Sequence, residues 1–266
     1  MKINAPYIIA EIGSNWRGDV QIAKKQIWEA KHCGADAVKF QMFTHKDLYG
    51  YDGRAVGGIQ EGHVEIFSEF CKTLNIDFMC SAFSADDYNF LNSFVKIHKI
   101  ASCENEDPEI LEAVLNSDKF FLRSNGATKG LERLPKEIPM ECVAAYPAQP
   151  DSYSFKSYDN LMSWGLSDHT LGPDLACVAV IKGCTFFEKH FDALPEYGTT
   201  PDSPVSVDSE DFAYYCDTIK YLNHLNIVTE RDKQIDPSEA SIVQYYKRRY
   251  VEELGGYFRT KPLDPR

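Results

Sequence analysis

Eight short apolar runs alternate with amphipathic segments along most of this chain, and this alternation constrains the fold more than any other feature. The segments between the runs carry apolar residues at helical spacing, most clearly at 19–33 and 62–74, and a further helix is predicted at 207–225. Eight strands, each followed by a helix, close into a barrel of parallel strands. The sequence therefore predicts an α/β fold, specifically a (β/α)8 TIM barrel in a single domain. The predicted strands lie near 7–11, 36–41, 76–80, 97–101, 119–124, 140–145, 164–168 and 184–190.

The alternating pattern weakens at about residue 226. We expect the catalytic barrel to span 1–225 and a helical extension or tail to span 226–266, with a short helix at 237–250. The connection 44–61 is long and rich in glycine, which is typical of a loop that carries function or moves. With 266 residues, of which 44% are hydrophobic, the chain can bury one large core.

Charge and composition exclude several classes of partner. The formal net charge of -12 argues against nucleic acid or an anionic membrane, since either would require a basic face. A small anionic substrate held by a few local cations stays possible. The first residues lack the apolar run of a signal peptide, and no stretch approaches the roughly 20 apolar residues that span a bilayer. The eight cysteines stand singly and predict reduced thiols, so we expect a cytoplasmic protein.

Two lysines stand inside predicted apolar strands. Lys39 and Lys99 are costly there unless each ammonium group meets an anion, the alternative being that their side chains reach out to solvent. Serines stand at or just after the ends of neighbouring strands, where parallel barrels carry their active sites. Two lysines with serine hydroxyls form a receptor for a small phosphate or carboxylate. The serines in question are Ser81, Ser102, Ser124 and Ser167.

Two histidines stand at the ends of the last two predicted strands. His169 and His190 predict a divalent-metal clamp with coordination positions open for substrate, although two hydrogen-bonded histidines at the rim of a core would look the same. Glu11, at the end of the first strand, adds a carboxylate. Such a set can bind an anion, polarise a carbonyl and handle a water molecule. On these residues alone, the sequence predicts only a metal-dependent barrel enzyme acting on an anion.

Several short motifs resemble, in order, those of the sialic acid (N-acetylneuraminate) synthases and their nonulosonic-acid relatives. Agreement of many motifs in family order is far more specific than any one of them. The matching segments are I-I-A-E-I-G-S-N (8–15), G-A-D-A-V-K-F-Q (34–41), K-I-A-S-C-E-N (99–105), Y-P-A (146–148), S-D-H-T-L-G (167–172), E-K-H-F (188–191) and P-D-S-P-V-S (201–206).

This resemblance implies a specific reaction. Members of the family condense phosphoenolpyruvate with an aldose such as N-acetylmannosamine, forming a 2-keto-3-deoxy sugar acid and releasing phosphate. It implies that His169 and His190 bind Mn2+ or Mg2+ and that Glu11 orients or deprotonates a water molecule. The residues implied in phosphoenolpyruvate binding are Lys39, Lys99, Ser81, Ser102, Ser124 and Ser167, and those implied in sugar binding are Gln41, Glu104, Tyr146 and Asp202.

The chain departs from the family pattern at several positions. Trp16 and Ser203 replace histidines, and Ala144 replaces an asparagine that contacts phosphoenolpyruvate. The resemblance covers the catalytic barrel and not the C-terminal antifreeze-like domain, which in the family reaches across a homodimer and supplies an arginine to the sugar. Candidates to replace that arginine are Arg248, Arg249, Arg259 and Arg266.

Three other readings of the same residues stay open. A metal-dependent sugar aldolase or isomerase would use similar ligands on the same barrel. A related synthase would take a phosphorylated aldose and need a second cationic subsite. A degenerate barrel acting as a binding partner would be inert and metal-free. Retention of Glu11, both lysines and both histidines argues against the last, because such a polar cluster is expensive to keep.

Overall fold

The computed structural model describes residues 5–53, 56–158, 161, 163–229, 248–251 and 256–259. Eight parallel strands close into a barrel in sequence order, and the first strand pairs with the eighth. The predicted (β/α)8 barrel is confirmed. The strands are β1 (Tyr7–Glu11), β2 (Ala37–Met42), β3 (Asp77–Ala82), β4 (His98–Ile100), β5 (Phe121–Ser124), β6 (Glu137–Cys142), β7 (Gly165–Asp168) and β8 (Phe186–His190).

Local sequence signals set the ends of the helices around the barrel. Asp19 accepts hydrogen bonds from the backbone N–H groups of Gln21 and Ile22 at the start of the first helix. Asp208 accepts one from the N–H of Asp211 and caps the last. The described helices are α1 (Val20–His32), α2 (His45–Tyr49), α3 (Glu61–Leu74), α4 (Ala85–Leu91), α5 (Pro108–Asn116), α6 (Asp174–Ile181) and α7 (Ser209–Thr229). The helices predicted at 19–33, 62–74 and 207–225 correspond to α1, α3 and α7.

The helical ring differs from the prediction after β5 and β6. Among the described residues, no α-helix follows either strand, and the connection to β7 contains only the 3-10 turns Pro150–Ser152 and Lys156–Tyr158. Arg123 and Glu137 lie on the outer faces of these strands and pair at 3.2 Å. Glu141 accepts a hydrogen bond from the Tyr158 hydroxyl at 2.9 Å. The prediction of a helix after every strand was wrong because these outer faces are charged and do not offer an apolar surface to a helix.

The strand predicted at 140–145 begins earlier, at Glu137, and ends at Cys142. The apolar run was misleading here, because Val143 and Ala144 lie in the loop beyond the strand. The buried carboxylates of Glu137 and Glu141 face the outer partners just described, so the strand contains charges that an apolar pattern does not predict.

The barrel interior changes from apolar to polar along each strand. Its lower part is filled by an apolar cluster that includes Ile9, Met79, Leu122 and Phe186. Two residues further along a strand, the same inward face carries a polar side chain, because side chains alternate with a period of two. Phe186 is thus followed by Glu188 on β8. A packed floor beneath a polar rim confines the chemistry to the carboxyl ends of the strands.

The connection 44–61 is partly ordered by local contacts. It contains α2, which Thr44 caps through its side chain, and Ile59 forms an isolated bridge with Met42. Residues 54 and 55 lie outside the described part. In the described part of the chain, no helix is both long and apolar enough to cross a membrane.

The chain divides into two compact units, Met1–Asn226 and Ile227–Arg266. In the second, β9 (Arg248–Val251) and β10 (Gly256–Arg259) form a two-stranded antiparallel sheet whose register pairs Tyr250 with Tyr257. The helix predicted at 237–250 lies mostly outside the described residues, and over 248–250 the prediction was wrong. Cross-strand pairing of aromatic positions favours a strand there.

Candidate active site

The polar residues predicted from the sequence lie at the carboxyl end of the barrel. Glu11, Ser124 and His190 end their strands, and His169 directly follows β7. The others occupy the same end of the molecule: Lys39 and Gln41 in β2, Ser81 in β3, Lys99 in β4, Ser102 and Glu104 in the 3-10 turn Ser102–Glu104, Tyr146 in the loop after β6, Ser167 in β7 and Asp202 in the loop after β8.

Both strand lysines are buried and point into the barrel. The Lys39 ammonium lies 2.6 Å from Glu11 Oε2 and donates a hydrogen bond to Ser81 Oγ at 3.1 Å. The Lys99 ammonium donates to Ser124 Oγ at 2.9 Å. Their exposed fractions are 3% and 2%, so neither side chain reaches out to solvent. The lysines and two of the predicted serines form one cluster.

Glu188 joins the two lysines, and the sequence interpretation did not assign it a role. Its Oε2 lies 3.7 Å from the Lys39 ammonium and its Oε1 lies 3.5 Å from that of Lys99. Ser167 donates a hydrogen bond to Oε1 at 2.9 Å. A signal was present in the sequence, since Glu188 lies two residues before His190 and therefore on the same face of β8.

Burial and charge pull the pKa values of this cluster in opposite directions. Burial raises the pKa of Glu11 to about 7, although Lys39 acts against it. Burial also raises the pKa of Glu188, but Lys39 and Lys99 outweigh it and lower that pKa to about 2. Burial lowers the pKa of Lys99, with Glu188 partly offsetting it. Glu188 is therefore the fixed negative charge of the cluster.

The two rim histidines lie side by side, with ring centroids 5.2 Å apart. His169 Nδ1 lies 2.7 Å from the carbonyl oxygen of Val143, which can only accept, so Nδ1 carries the proton and Nε2 keeps its lone pair. Burial lowers the pKa of His190 to about 3, and its Nδ1 has no hydrogen-bond partner. Burial also lowers the pKa of His169, but its contacts with Cys142 and the Val143 carbonyl outweigh this and raise that pKa.

This pair fits a divalent cation as two imidazole ligands. No group of three or more His, Cys, Asp or Glu side chains in the described residues is arranged to hold a metal ion. His190 Nδ1 lies 3.5 Å from Asp202 Oδ1, which places one further carboxylate nearby. Two protein nitrogens would leave most coordination positions to oxygen atoms of substrate and water.

A second set of contacts surrounds Glu11 on the side away from the lysines. Gln41 donates a hydrogen bond to Glu11 Oε1 at 2.9 Å. Asp202 Oδ2 accepts from the Ser14 hydroxyl at 2.6 Å and from the Ser14 N–H at 2.7 Å. A Cβ at Gly13 would lie 2.5 Å from Asp202 Oδ2 and 3.0 Å from Glu11 Oε1. The glycine therefore lets the two carboxylates approach the same turn.

Three of the remaining predicted residues have different surroundings. Tyr146 covers the histidines, its ring lying 4.4 Å from that of His169 and 5.4 Å from that of His190, and it is half-exposed. Ser102 donates to Cys142 Sγ at 3.2 Å and contacts neither lysine through a hydrogen bond. Burial raises the pKa of Glu104 to about 7, and its Oε2 has no hydrogen-bond partner.

The positions that depart from the family pattern lie around this site. Trp16 is buried, donates a hydrogen bond to the Gly57 carbonyl at 2.8 Å and packs against Phe67, so it anchors the loop after β1 to the 44–61 connection. Ala144 is exposed and lines a cavity of about 660 Å³ beside β5 and β6. Ser203 Oγ accepts a hydrogen bond from the N–H of Thr200 at 2.7 Å.

Comparisons with known proteins match this barrel. The pseudaminic acid synthase of Helicobacter pylori is 27% identical over 284 residues, covering 92% of this chain and 82% of that protein. The N-acetylneuraminate-9-phosphate synthase of Drosophila melanogaster is 31% identical over 225 residues, covering 71% of this chain and 60% of that protein.

A solved structure shares the fold. The N-acetylneuraminic acid synthetase of Leptospira borgpetersenii, crystallised with citrate, has a TM-score of 0.76 and 24% identity and covers 90% of this chain and 91% of that one. The model of the NeuB family matches residues 51–227, most of the barrel including β3 to β8. The chain belongs to the NeuB family.

Proposed function

We propose that this protein condenses phosphoenolpyruvate with an aldose of the N-acetylmannosamine type, forming a 2-keto-3-deoxy sugar acid and releasing phosphate. One observation carries the proposal: two groups of side chains lie next to each other at the same rim of the barrel. One is the two-lysine cluster, which suits an anion, and the other is the histidine pair. Relatives named as synthases of pseudaminic acid and N-acetylneuraminate 9-phosphate support this reaction class. The acceptor, cytoplasmic location and homodimeric assembly belong to the same proposal.

The lysine cluster would bind phosphoenolpyruvate. Lys39 and Lys99 supply charge-assisted hydrogen bonds to its phosphate and carboxylate, and Ser81 and Ser124, which already contact the lysines, add hydroxyl donors. Gln41, Glu104, Tyr146 and Asp202 would face the sugar.

His169 and His190 would hold Mn2+ or Mg2+, which when bound polarises the acceptor aldehyde. The electron pair of the C2–C3 double bond of phosphoenolpyruvate forms the bond from carbon 3 to the aldehyde carbon, which leaves carbon 2 electron-deficient. The aldehyde π bond breaks toward its oxygen, which takes a proton from solvent and becomes a hydroxyl. Water then adds to carbon 2, with Glu11 orienting it and accepting its proton. The resulting carbon 2 carries a hydroxyl and a phosphate. Its bond to the phosphate oxygen breaks, the bonding electrons leave with the phosphate, and the hydroxyl gives up its proton to become the ketone oxygen.

A phosphate-release assay tests the proposal. The protein is incubated with phosphoenolpyruvate and a panel of N-acetylhexosamines and simple aldoses, with Mn2+, Mg2+ or a chelator, and the product is identified by mass spectrometry. We expect phosphate only when phosphoenolpyruvate, an aldose and a divalent cation are all present. His169→Ala should reduce turnover by about 100-fold or more.

His98→Gln is the matched control, because His98 is also buried in the barrel wall but hydrogen-bonds Asn92 behind β4. It should keep the wild-type rate within about twofold, since it leaves both rim imidazoles in place. Phosphate release without an aldose, or full activity of His169→Ala, would contradict the proposal. Isomerisation or cleavage of the aldose without phosphoenolpyruvate would favour the aldolase or isomerase reading.

A further inference from the structure

Glu188 stands at the centre of the lysine cluster and is fully enclosed, with 3% of its surface exposed. Its two carboxylate oxygens serve different lysines, Oε2 lying 3.7 Å from Lys39 and Oε1 lying 3.5 Å from Lys99. One carboxylate thus sets the separation between two ammonium groups. These distances exceed those of a tight ion pair, so the carboxylate holds both cations without fully occupying either.

The carboxylate is itself held from the neighbouring strand. The Ser167 hydroxyl donates to Glu188 Oε1 at 2.9 Å, and the register of β7 and β8 pairs the same two residues. The position of Glu188 is therefore fixed by the sheet and not by substrate. A fixed carboxylate between two lysines is a template for them before any anion arrives.

The two lysines depend on this template to different degrees. Lys39 has a second carboxylate, Glu11, at 2.6 Å. For Lys99, Glu188 is the one carboxylate within ion-pair distance in the described part of the chain, its other contacts being Ser124 Oγ and the Ile100 carbonyl. Without Glu188, two like charges buried in the same space would repel each other and separate.

We propose that Glu188 is a positioning residue, holding Lys39 and Lys99 at the spacing that receives the anionic substrate. This inference rests on the proposed function for the identity of that anion, phosphoenolpyruvate. In the proposed function Lys39 and Lys99 contact the anion directly. Glu188 acts on the anion only through these two lysines.

The test compares Glu188→Gln, which keeps the shape and removes the charge, with Glu188→Asp, which keeps the charge but is one methylene shorter. We expect Glu188→Gln to raise KM for phosphoenolpyruvate by about tenfold or more while KM for the aldose stays within about twofold. Glu188→Asp should fall between wild type and Glu188→Gln. Because Glu188→Asp keeps the charge, its KM for phosphoenolpyruvate can still be measured if Glu188→Gln does not fold.

Glu137→Gln is the matched control. Glu137 is a second buried strand carboxylate that pairs with a cation, Arg123, but on the outer face of the barrel. It should lower the melting temperature and leave KM for phosphoenolpyruvate unchanged. If Glu188→Gln and Glu137→Gln lose equal stability but KM for phosphoenolpyruvate changes only in the Glu188 variants, Glu188 has a positioning role and not merely a structural one.

The result that overturns the inference is an unchanged or lowered KM for phosphoenolpyruvate in the Glu188 variants, a lowered value meaning that Glu188 competes with the anion. If the wild type shows no turnover with any aldose, the proposed function fails, and calorimetric binding of phosphoenolpyruvate to wild type and Glu188→Gln decides the inference separately. Binding to the wild type that is at least about tenfold tighter supports it. Equal binding, or none to either protein, overturns it.

Discussion

Lys99 carries the strongest functional implication of any single residue in the barrel. An ammonium group that is 2% exposed requires partners, and its neighbours are one carboxylate, one hydroxyl and one carbonyl. Since Glu188 also serves Lys39, the cluster is not an ion pair of one cation with one anion. Among the described residues Lys99 has only this shared carboxylate as a charged partner, which is costly for stability and leaves its ammonium group able to bind an anion.

Replacing Lys99 with methionine should weaken phosphoenolpyruvate binding specifically. A charge-assisted hydrogen bond contributes about 1.5–3 kcal/mol, so Lys99→Met should raise KM for phosphoenolpyruvate by about 10- to 150-fold. Steady-state kinetics with phosphoenolpyruvate as the varied substrate measures this.

Lys189→Met provides the comparison for that variant. Lys189 is equally buried, lies on the outer face of β8 and contacts Asp168 at 3.4 Å and the Thr170 carbonyl at 2.6 Å. It should lose stability and keep its KM for phosphoenolpyruvate. A wild-type KM in Lys99→Met would remove Lys99 from the anion site.

Among the structural elements, the 3-10 turn Gly13–Trp16 after β1 connects the most parts of the site. Its Ser14 holds Asp202, its Trp16 anchors the turn to Gly57, and its first residue has a φ of +48°. A glycine is required at that first residue on two grounds, the left-handed backbone and the close approach of two carboxylates. The turn therefore couples the loop after β8 to the end of β1.

Gly13→Ala should disturb the acceptor side of the site. The added Cβ would displace Asp202 and Glu11, so we expect KM for the aldose to rise and kcat to fall, with a smaller change in KM for phosphoenolpyruvate. Kinetics with each substrate varied in turn measures this. Backbone strain adds a stability cost of about 1–2 kcal/mol.

Gly18→Ala separates strain from steric displacement. Gly18 has a φ of +75°, and a Cβ there would meet nothing within 4 Å. It should lose similar stability and keep both KM values. If Gly13→Ala behaves as Gly18→Ala does, the turn plays no part in placing the carboxylates.

The elements show where sequence reasoning succeeds and where it does not. Lys39, Lys99 and His190 could be placed at one rim because strand position and a period of two are local properties. Glu188 lies on the same face by the same rule, but its role depends on the barrel bringing β8 close to the lysines of β2 and β4. In the described residues no α-helix follows β5 or β6, where Arg123 and Glu137 form an ion pair, and apolar patterns do not predict such pairs. That the predicted site residues contact substrate stays a prediction.

At the scale of the whole molecule, the buried imidazole of His98 is one of the groups that make stability depend on pH. His98 lies behind β4 against Tyr88, and burial, with a contribution from Lys119, lowers its pKa from 6.5 to about 4. Between those values the unfolded chain binds a proton that the folded barrel does not. The free energy of unfolding should therefore decrease as the pH falls from 6.5 to about 4, by about 3 kcal/mol from this group.

Urea unfolding of wild type and His98→Gln at several pH values measures that contribution, because other acidic groups affect both proteins alike. The wild type should lose stability more steeply than the variant as the pH falls below 6.5. Parallel curves over this interval would show that His98 titrates in the folded state as it does in the unfolded chain.

Pairing of the first strand with the last has a consequence for biosynthesis. Glu11 stands opposite His190 in the register of β1 and β8, and Lys39, on β2, pairs with Glu188 of β8 inside the barrel. A nascent chain that has emerged only as far as β7 therefore holds two lysines with too few counterions and an open sheet edge on each side. Contacts so distant in sequence favour slow folding, and ring closure by the last strand is then the step at which a growing polypeptide first becomes an enzyme.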